Sequence, residues 1–412
     1  RKYLLILIFN GKIKQEVNMK RTIQSLDVKN KRVLLRVDFN VPMEDGFITD
    51  DTRIIRELPT IKYLLTKGAK LIICSHLGRP KGKVVESMSL MPVAKKLVEL
   101  LPLTKIRFAN DCIGKEAKAM AEKLKPGEIL LLENLRFYPG EEKNDPFFAK
   151  ELASLAEIYV NDAFGTSHRN HASIVGVAKL LPNAVGFLMG QEVNTILDVL
   201  DNPIRPFVAI LGGSKVSDKI YVVMNLISKV NAVLIGGGMA YTFLKAKGVN
   251  IGKSLVDDEK VELAKNILDE ANKRGIEVFL PIDHMCAEAL TPNAKPKKIK
   301  HEDIPDNLMA LDIGPKTIKL FSNVIKKSST VIWNGPMGVF EFPKFAKGTQ
   351  KIAKAVSKVN GKTVVGGGDS IAAIRELKLD SKIYHISTGG GASLKLLEGE
   401  ILPGVEVIED AK

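Results

Sequence analysis

A chain of 412 residues with 45% apolar side chains is too long for one ordinary core, so two domains of a soluble α/β protein are expected. The three cysteines, Cys74, Cys112 and Cys286, are widely spaced, which excludes a disulfide scaffold, lacks the paired spacing of a zinc site and fits a reducing, cytoplasmic compartment. A formal charge of +14 is spread along the chain with no long basic block and no interleaved aromatics, so it argues against nucleic-acid binding and suits small phosphorylated anions.

In chain order, the first eighteen residues stand apart. Their apolar run, "LLILIF", is too short to span a bilayer, which takes roughly 20 apolar residues, and no small-residue cleavage site follows it. Met19 then opens a run that reads as a natural start, so residues 1–18 are expected to be an upstream extension rather than a targeting segment. From Lys31 onward, short apolar runs alternate with helix-length amphipathic stretches. The strand candidates are "RVLLRVDF", "KLIICS", "ILLLEN", "EIYVND", "FVAILG", "AVLIGG", "EVFLPI", "MALDIG", "TVIWNG", "TVVGGG" and "IYHIST". All are apolar on both faces, as parallel strands covered by helices should be, and together they exceed one comfortable sheet. The alternation predicts a doubly wound α/β architecture in two domains. The boundary is expected at "LLPNAVGFLMGQEV", residues 180–193, ahead of a long helical pattern.

The N-terminal half carries arginines and histidines where strands end. "RVDFNVP" places Asp38 and Asn40 at alternate positions, and Arg53 follows near a helix start. "SHLGRP" contributes His76 and Arg79, "LLENLRF" contributes Arg136, and "NDAFGTSHRNHAS" contributes His168, Arg169 and His171. Any one of these arginines reads as an ordinary surface residue. Together they describe a pocket for a multiply anionic, hydroxylated small molecule, because the guanidinium fork matches carboxylate and phosphate oxygens. Metal binding by the histidines is the weaker reading, since no carboxylate–histidine pair has ligand spacing.

The C-terminal half is rich in glycine. Triplets occur in "VLIGGGMAYTF", "VVGGGDSIAAI" and "HISTGGGASLKLL", each after a strand candidate and before a helical pattern. Glycine there lets backbone amides approach a phosphate at a helix N-terminus. None of the triplets completes G-x-G-x-x-G, and "GVNIGKS" is one residue too short for a P-loop, so it reads as a turn. "GGSKVSDK" sets Lys215 and Lys219 four apart after a strand, so that on a helix they would share one face and suit a polyphosphate.

The motifs "RVDFNVP", "SHLGRP", "NDAFGTSHR", "GGSKVSDK", "WNGPMGVFE", "GGGDS" and "HISTGGGASLKLLEG" follow one another in an order that resembles the phosphoglycerate kinase family from about Met19 to the C-terminus. The resemblance implies two Rossmann-like lobes, each a parallel sheet with helices on both faces, joined by a hinge helix. The phosphoglycerate lobe would be residues 19–185, the nucleotide lobe 186–396, and the tail 397–412 would pack back on the first. It implies phosphoglycerate ligands Asp38, Asn40, Arg53, His76, Arg79, Arg136 and Arg169. On the nucleotide side it implies Lys219, Gly236, Gly237, Asn334, Glu341, Gly367, Gly368, Asp369 and Ser370, with Glu341 at the ribose and Asp369 at the magnesium carried by ATP or ADP. Arg53, Lys215 and Lys219 would serve the transferring group, and Gly389, Gly390 and Gly391 would supply amides near it. The implied activity is reversible phosphoryl transfer between ATP and 3-phosphoglycerate, the ATP-forming step of glycolysis, by a cytoplasmic monomer that closes about its hinge.

Three positions depart from the family pattern. Ala310 stands where many members have glycine, and Lys395 and Glu400 replace residues often seen as glutamate and lysine. Two other classes stay open at this point. One is a Rossmann dehydrogenase, disfavoured by the incomplete glycine fingerprint. The other is a nucleic-acid-binding protein using the basic surface.

Overall fold

The structure is a computed structural model that describes residues 20–217 and 219–411; the extension, residues 1–18, lies outside the described residues. The described chain forms two compact units. One comprises Thr195–Glu400, and the other comprises residues 20–194 with the segment from Ile401 onward.

The N-terminal unit is built on β1 (Arg32–Arg36), β4 (Lys70–Cys74), β5 (Ile106–Phe108), β6 (Ile129–Leu131), β7 (Ile158–Asn161) and β8 (Asn183–Val185), with a small hairpin of β2 (Met43–Glu44) and β3 (Phe47–Ile48). The six long-range strands form one parallel sheet in the order β5-β6-β4-β1-β7-β8. Val33, Leu34 and Leu35 are all fully buried, so β1 presents apolar side chains to both covering layers. The helix Thr52–Thr66 packs Ile54, Ile61 and Leu64 onto the sheet. From β1 the chain goes to β4 on one side and later returns to β7 on the other. This reversal opens a crevice beyond the carboxyl ends of β1, β4 and β7.

The C-terminal segment completes this unit. Asn161 Nδ2 donates to Gly404 O at 3.1 Å, Gly404 N donates to Ser167 O at 2.9 Å, and Glu409 N donates to Asn183 Oδ1 at 2.7 Å. Lys20 and Arg21 pair with Asp410 and Glu409 at 2.9 and 2.7 Å.

The Thr195–Glu400 unit holds β9 (Phe207–Leu211), β10 (Ala232–Ile235), β11 (Glu277–Phe279), β12 (His284–Ala287), β13 (Lys297–Ile299), β14 (Met309–Ile313), β15 (Thr330–Asn334), β16 (Lys362–Gly366) and β17 (His385–Ile386). Its main sheet is parallel in the order β11-β10-β9-β15-β16-β17, with the reversal at β9 between β10 and β15. "MALDIG" does not join it. That run is β14, antiparallel to β12 in a separate sheet ordered β13-β12-β14. Its apolar character has another cause: Leu311 to Ile313 are buried, while the half-exposed Met309 and Ala310 line a cavity.

Candidate active site

The residues expected around an anion converge beyond the ends of β1 and β4. Arg53 Nη1 stands 2.8 Å from Asp38 Oδ2, and His76 Nδ1 lies 3.9 Å from Asp38 Oδ1. Asn40 Oδ1 accepts from Gly78 N at 2.9 Å, and Arg136 Nη1 donates to Gly78 O at 2.8 Å, so the loops after β1, β4 and β6 are pinned to one another. Asn134 reinforces this by accepting from Leu77 N at 3.2 Å and Arg136 N at 3.0 Å. Arg169 is half-buried and near enough for its charge to act on Arg136 and His171, while Arg79 reaches solvent. Arg136 is buried, and desolvation lowers its pKa to about 10. Desolvation also pushes His171 down to about 3, helped by Arg136, Arg36 and Arg169.

Arg36, at the end of β1, was not among the expected site residues, although a charge inside an otherwise apolar run is a visible signal. It is fully buried. Its Nε donates to Ser173 Oγ at 2.8 Å, its Nη1 donates to Val37 O, and its Nη2 faces His76 Nδ1 at 3.2 Å. Ser173 passes the interaction on, donating from Oγ at 2.6 Å and from its backbone N at 2.9 Å to the buried carboxylate of Glu141. An unpaired buried guanidinium would be costly, and Glu141 supplies the compensating charge through one hydroxyl.

In the other unit, loops after β9, β10 and β15 enclose a cavity of about 280 Å³. Gly213, Gly237, Gly238, Ala310, Glu341 and Asp369 are among its lining residues. The glycines are required by close approach. Gly237 has φ +65°, and an added Cβ would stand 2.6 Å from Gly213 N. Asp369 is exposed in the first turn of the helix Gly368–Glu376, whose start is set by Gly367 at φ +86°. Glu341 is exposed at the rim. Asn334 is buried, and its Nδ2 has no protein acceptor. Gly389, Gly390 and Gly391 form the turn into the helix Gly391–Glu398, and space beside Gly390 is open.

Three nucleotide-side expectations change. Lys215 and Lys219 do not share a helix face, because the helix begins only at Ile220 and Lys219 occupies its N-cap. Lys219 Nζ instead folds onto Gly212 O at 2.7 Å, while Lys215 is exposed in the preceding turn. Ser370 is fully buried, and its hydroxyl accepts from Gly335 N at 2.7 Å, which makes it a support of the β15 loop. Gly236 packs on Met337, where an added Cβ would lie 2.5 Å from the sulfur, and leaves the lining to Gly237 and Gly238.

This chain matches the family model described as phosphoglycerate kinase over residues 23–400. It is 57% identical over 398 residues to a phosphoglycerate kinase of Koribacter versatilis, covering 94% of this chain and 99% of that protein. With that of Moorella thermoacetica the identity is 54% over 391 residues, covering 95% and 99%. Among solved structures, phosphoglycerate kinase from Coxiella burnetii is similar at a TM-score of 0.84 and 39% identity, covering 94% of this chain and 98% of that one. The enzyme from Pyrococcus horikoshii OT3 aligns at 0.81 with 34% identity and the same coverages, 94% and 98%. With arginines around Asp38 in one unit, a glycine-walled cavity in the other and relatives alike along nearly their whole length, the chain belongs to the phosphoglycerate kinase family.

Proposed function

We propose that the chain carries out its family's reaction, reversible phosphoryl transfer between ATP and the carboxylate of 3-phosphoglycerate, with phosphoglycerate at Asp38, Asn40, Arg53, His76, Arg79, Arg136 and Arg169. The carboxylate oxygen forms the new P–O bond as the γ-phosphoanhydride bond breaks, and ADP leaves. A carboxylate is already an adequate nucleophile, so the step needs neither a general base nor a covalent enzyme intermediate. What supports the assignment most is the pairing of Asp38 with Arg53 at 2.8 Å beside the buried His76: one acceptor for a hydroxyl among donors for anionic oxygens.

Nucleotide is assigned to the cavity of the Thr195–Glu400 unit. Gly237 and Gly238 border it, Glu341 meets the ribose at the rim, and the unpartnered Asn334 Nδ2 is a donor for a phosphate oxygen. A magnesium ion bound with the nucleotide would supply charge neutralisation to its phosphates. Such an ion ordinarily takes one or two carboxylates plus phosphate oxygens, and the exposed Asp369 beside the cavity fits that donor set. Lys215 and the amides at Gly368 and Gly389–Gly391 are assigned to the charge of the transferring group. Direct transfer needs both ligands within bonding reach, so substrate binding is expected to draw the two units together, which small-angle scattering with and without both substrates tests. The reading is of a cytoplasmic monomer; among the described residues, no helix is long and apolar enough to cross a membrane.

A coupled assay with ATP, magnesium and 3-phosphoglycerate tests the function. Arg53→Ala and Lys215→Ala are each expected to lower turnover by about 10²–10³-fold, as for a lost donor to a developing charge. Turnover near wild type in both would overturn the catalytic assignment.

A further inference from the structure

Glu57 sits on the apolar face of the helix Thr52–Thr66, in line with Ile54, Ile61 and Leu64, and is fully buried. Its Oε1 accepts from the backbone N of Asp38 at 3.2 Å. Its carboxyl also hydrogen-bonds that of Asp162, which is buried as completely just past the end of β7. The oxygens left over, Glu57 Oε2 and Asp162 Oδ2, receive no other donor. Two carboxylates in such contact cannot both ionise, so one proton lies between them. Desolvation first, and the facing Asp162 second, hold the Glu57 carboxyl well above the usual range, and because Asp162 already accepts from Met189 N and the Thr60 hydroxyl, which favour its charged form, the shared proton is placed on Glu57.

Asp162 in turn fastens the start of the helix Phe187–Asp201. Met189 N donates to Asp162 Oδ1 at 2.8 Å, which satisfies an N–H that has no partner inside its own helix. The Thr60 hydroxyl donates to Asp162 and accepts from Phe187 N at 3.0 Å. The charged groups facing Glu57 are Asp162 from the end of β7 and Asp38 from the loop after β1, the latter paired with Arg53. Toward Asp162 the start of the helix Phe187–Asp201 presents backbone N–H groups.

We propose that Glu57 is a positioning residue for phosphoglycerate: as the protonated half of a carboxyl pair with Asp162, it ties the backbone of Asp38 to the start of the helix through which the chain leaves the N-terminal unit. The inference rests on the reading of the Asp38 cluster as the phosphoglycerate site. Glu57→Gln keeps both contacts without a titrating proton, since its amide donates to Asp162 and its carbonyl accepts from Asp38 N. Glu57→Leu keeps the bulk and loses both.

Calorimetric titration of the full chain with 3-phosphoglycerate and, separately, with Mg-ATP tests the positioning role. Glu57→Leu is expected to weaken phosphoglycerate binding about three- to ten-fold, the scale of one lost hydrogen bond, and to leave Mg-ATP binding at the wild-type value. Glu57→Gln restores phosphoglycerate binding to near wild type. Unchanged phosphoglycerate affinity in Glu57→Leu would overturn the proposal. Urea unfolding tests the proton itself, and needs only the conservative variant. The native acid must stay protonated above the ordinary value of 4.5, where the unfolded chain loses that proton, so the contribution of Glu57 to stability falls with rising pH, opposite in sign to that of the buried histidines. The advantage of Glu57→Gln over wild type should therefore widen from pH 4.5 to 8, and a constant difference would refute the shared proton. Arg53→Ala serves as the reference: if it also leaves phosphoglycerate binding unchanged, the reading of the site fails, whereas a silent Glu57→Leu beside a weakened Arg53→Ala defeats this inference alone.

Discussion

Arg36 Nη2 lies 3.2 Å from His76 Nδ1, both side chains being buried at the ends of neighbouring strands. A guanidinium has donors and no acceptor, so Nδ1 must accept and the ring hydrogen sits on Nε2. His76 is thereby set as a neutral ring with its hydrogen on Nε2, while the accepting Nδ1 lies 3.9 Å from Asp38 Oδ1. Desolvation, Arg36, Arg136 and Arg53 all hold its pKa well below the usual 6.5. Nitrogen-15 NMR should show an Nε2–H tautomer unchanged between pH 5 and 8. In Arg36→Met, titration of this ring is expected to move up toward its ordinary range.

The glycine loops should separate folding from binding. An added Cβ at Gly368 meets nothing within 4 Å, so Gly368→Ala is expected to keep the wild-type melting temperature. Its methyl group would occupy the space assigned to phosphate, and Mg-ATP affinity is expected to fall at least about ten-fold, roughly 1.4 kcal/mol. Wild-type affinity would move the phosphates elsewhere. Gly237→Ala should damage both properties, because the positive φ and the Gly213 backbone leave no room for Cβ.

Acid should destabilise the protein through its buried histidines. The pKa values of His76, His171 and His284 are all lowered, the last two to about 3 and about 4, with desolvation the largest cause in each. The native rings stay neutral while the unfolded chain takes up protons below 6.5, so this stability is present above that pH and is lost as pH falls toward 3. For His284 burial outweighs the Nε2 donation to Glu302 O at 3.0 Å, which by itself favours the charged ring, while Nδ1 faces the Tyr241 hydroxyl at 3.2 Å. Melting temperature should drop from pH 6.5 to 4, and His284→Gln should flatten part of that slope.

The departures at 395 and 400 are reciprocal. Lys395 Nζ is 2.9 Å from Glu400 Oε1 and 2.8 Å from Glu398 Oε2. Exchanging the charges preserves the pairing that the usual glutamate and lysine would make. Lys395→Glu alone crowds three carboxylates and is expected to cost no more than about 1 kcal/mol, since the pair is solvent-accessible. The double variant Lys395→Glu with Glu400→Lys should recover most of it in a denaturation cycle.

Much of the architecture was legible because strands apolar on both faces leave an unmistakable signature. Each of the eleven apolar runs is a strand, including Phe207–Leu211, which is buried along its whole length. Strands without that signature were missed. In Ile106–Phe108 and Asn183–Val185, Arg107 and Asn183 break the apolar run, and His284–Ala287 opens on a polar residue. "MALDIG" misled because apolar residues facing a cavity look like residues facing a core. At the site, motif order located the arginines, while supports acting through tertiary contact were harder to find. Glu57 did carry a signal, a carboxylate in the i, i+3, i+4 stripe of a helix otherwise facing the core. Glu141 carried none, since only folding brings it to Ser173 and Arg36.

The hydrogen bonds that Gly404 and Glu409 make with Ser167, Asn161 and Asn183 set an order of events during synthesis. The N-terminal unit lacks these partners until the segment from Ile401 onward has been translated. A nascent chain stalled near Glu400 would carry the whole Thr195–Glu400 unit while the N-terminal unit is still unfinished, with Lys20 and Arg21 still waiting for their carboxylates.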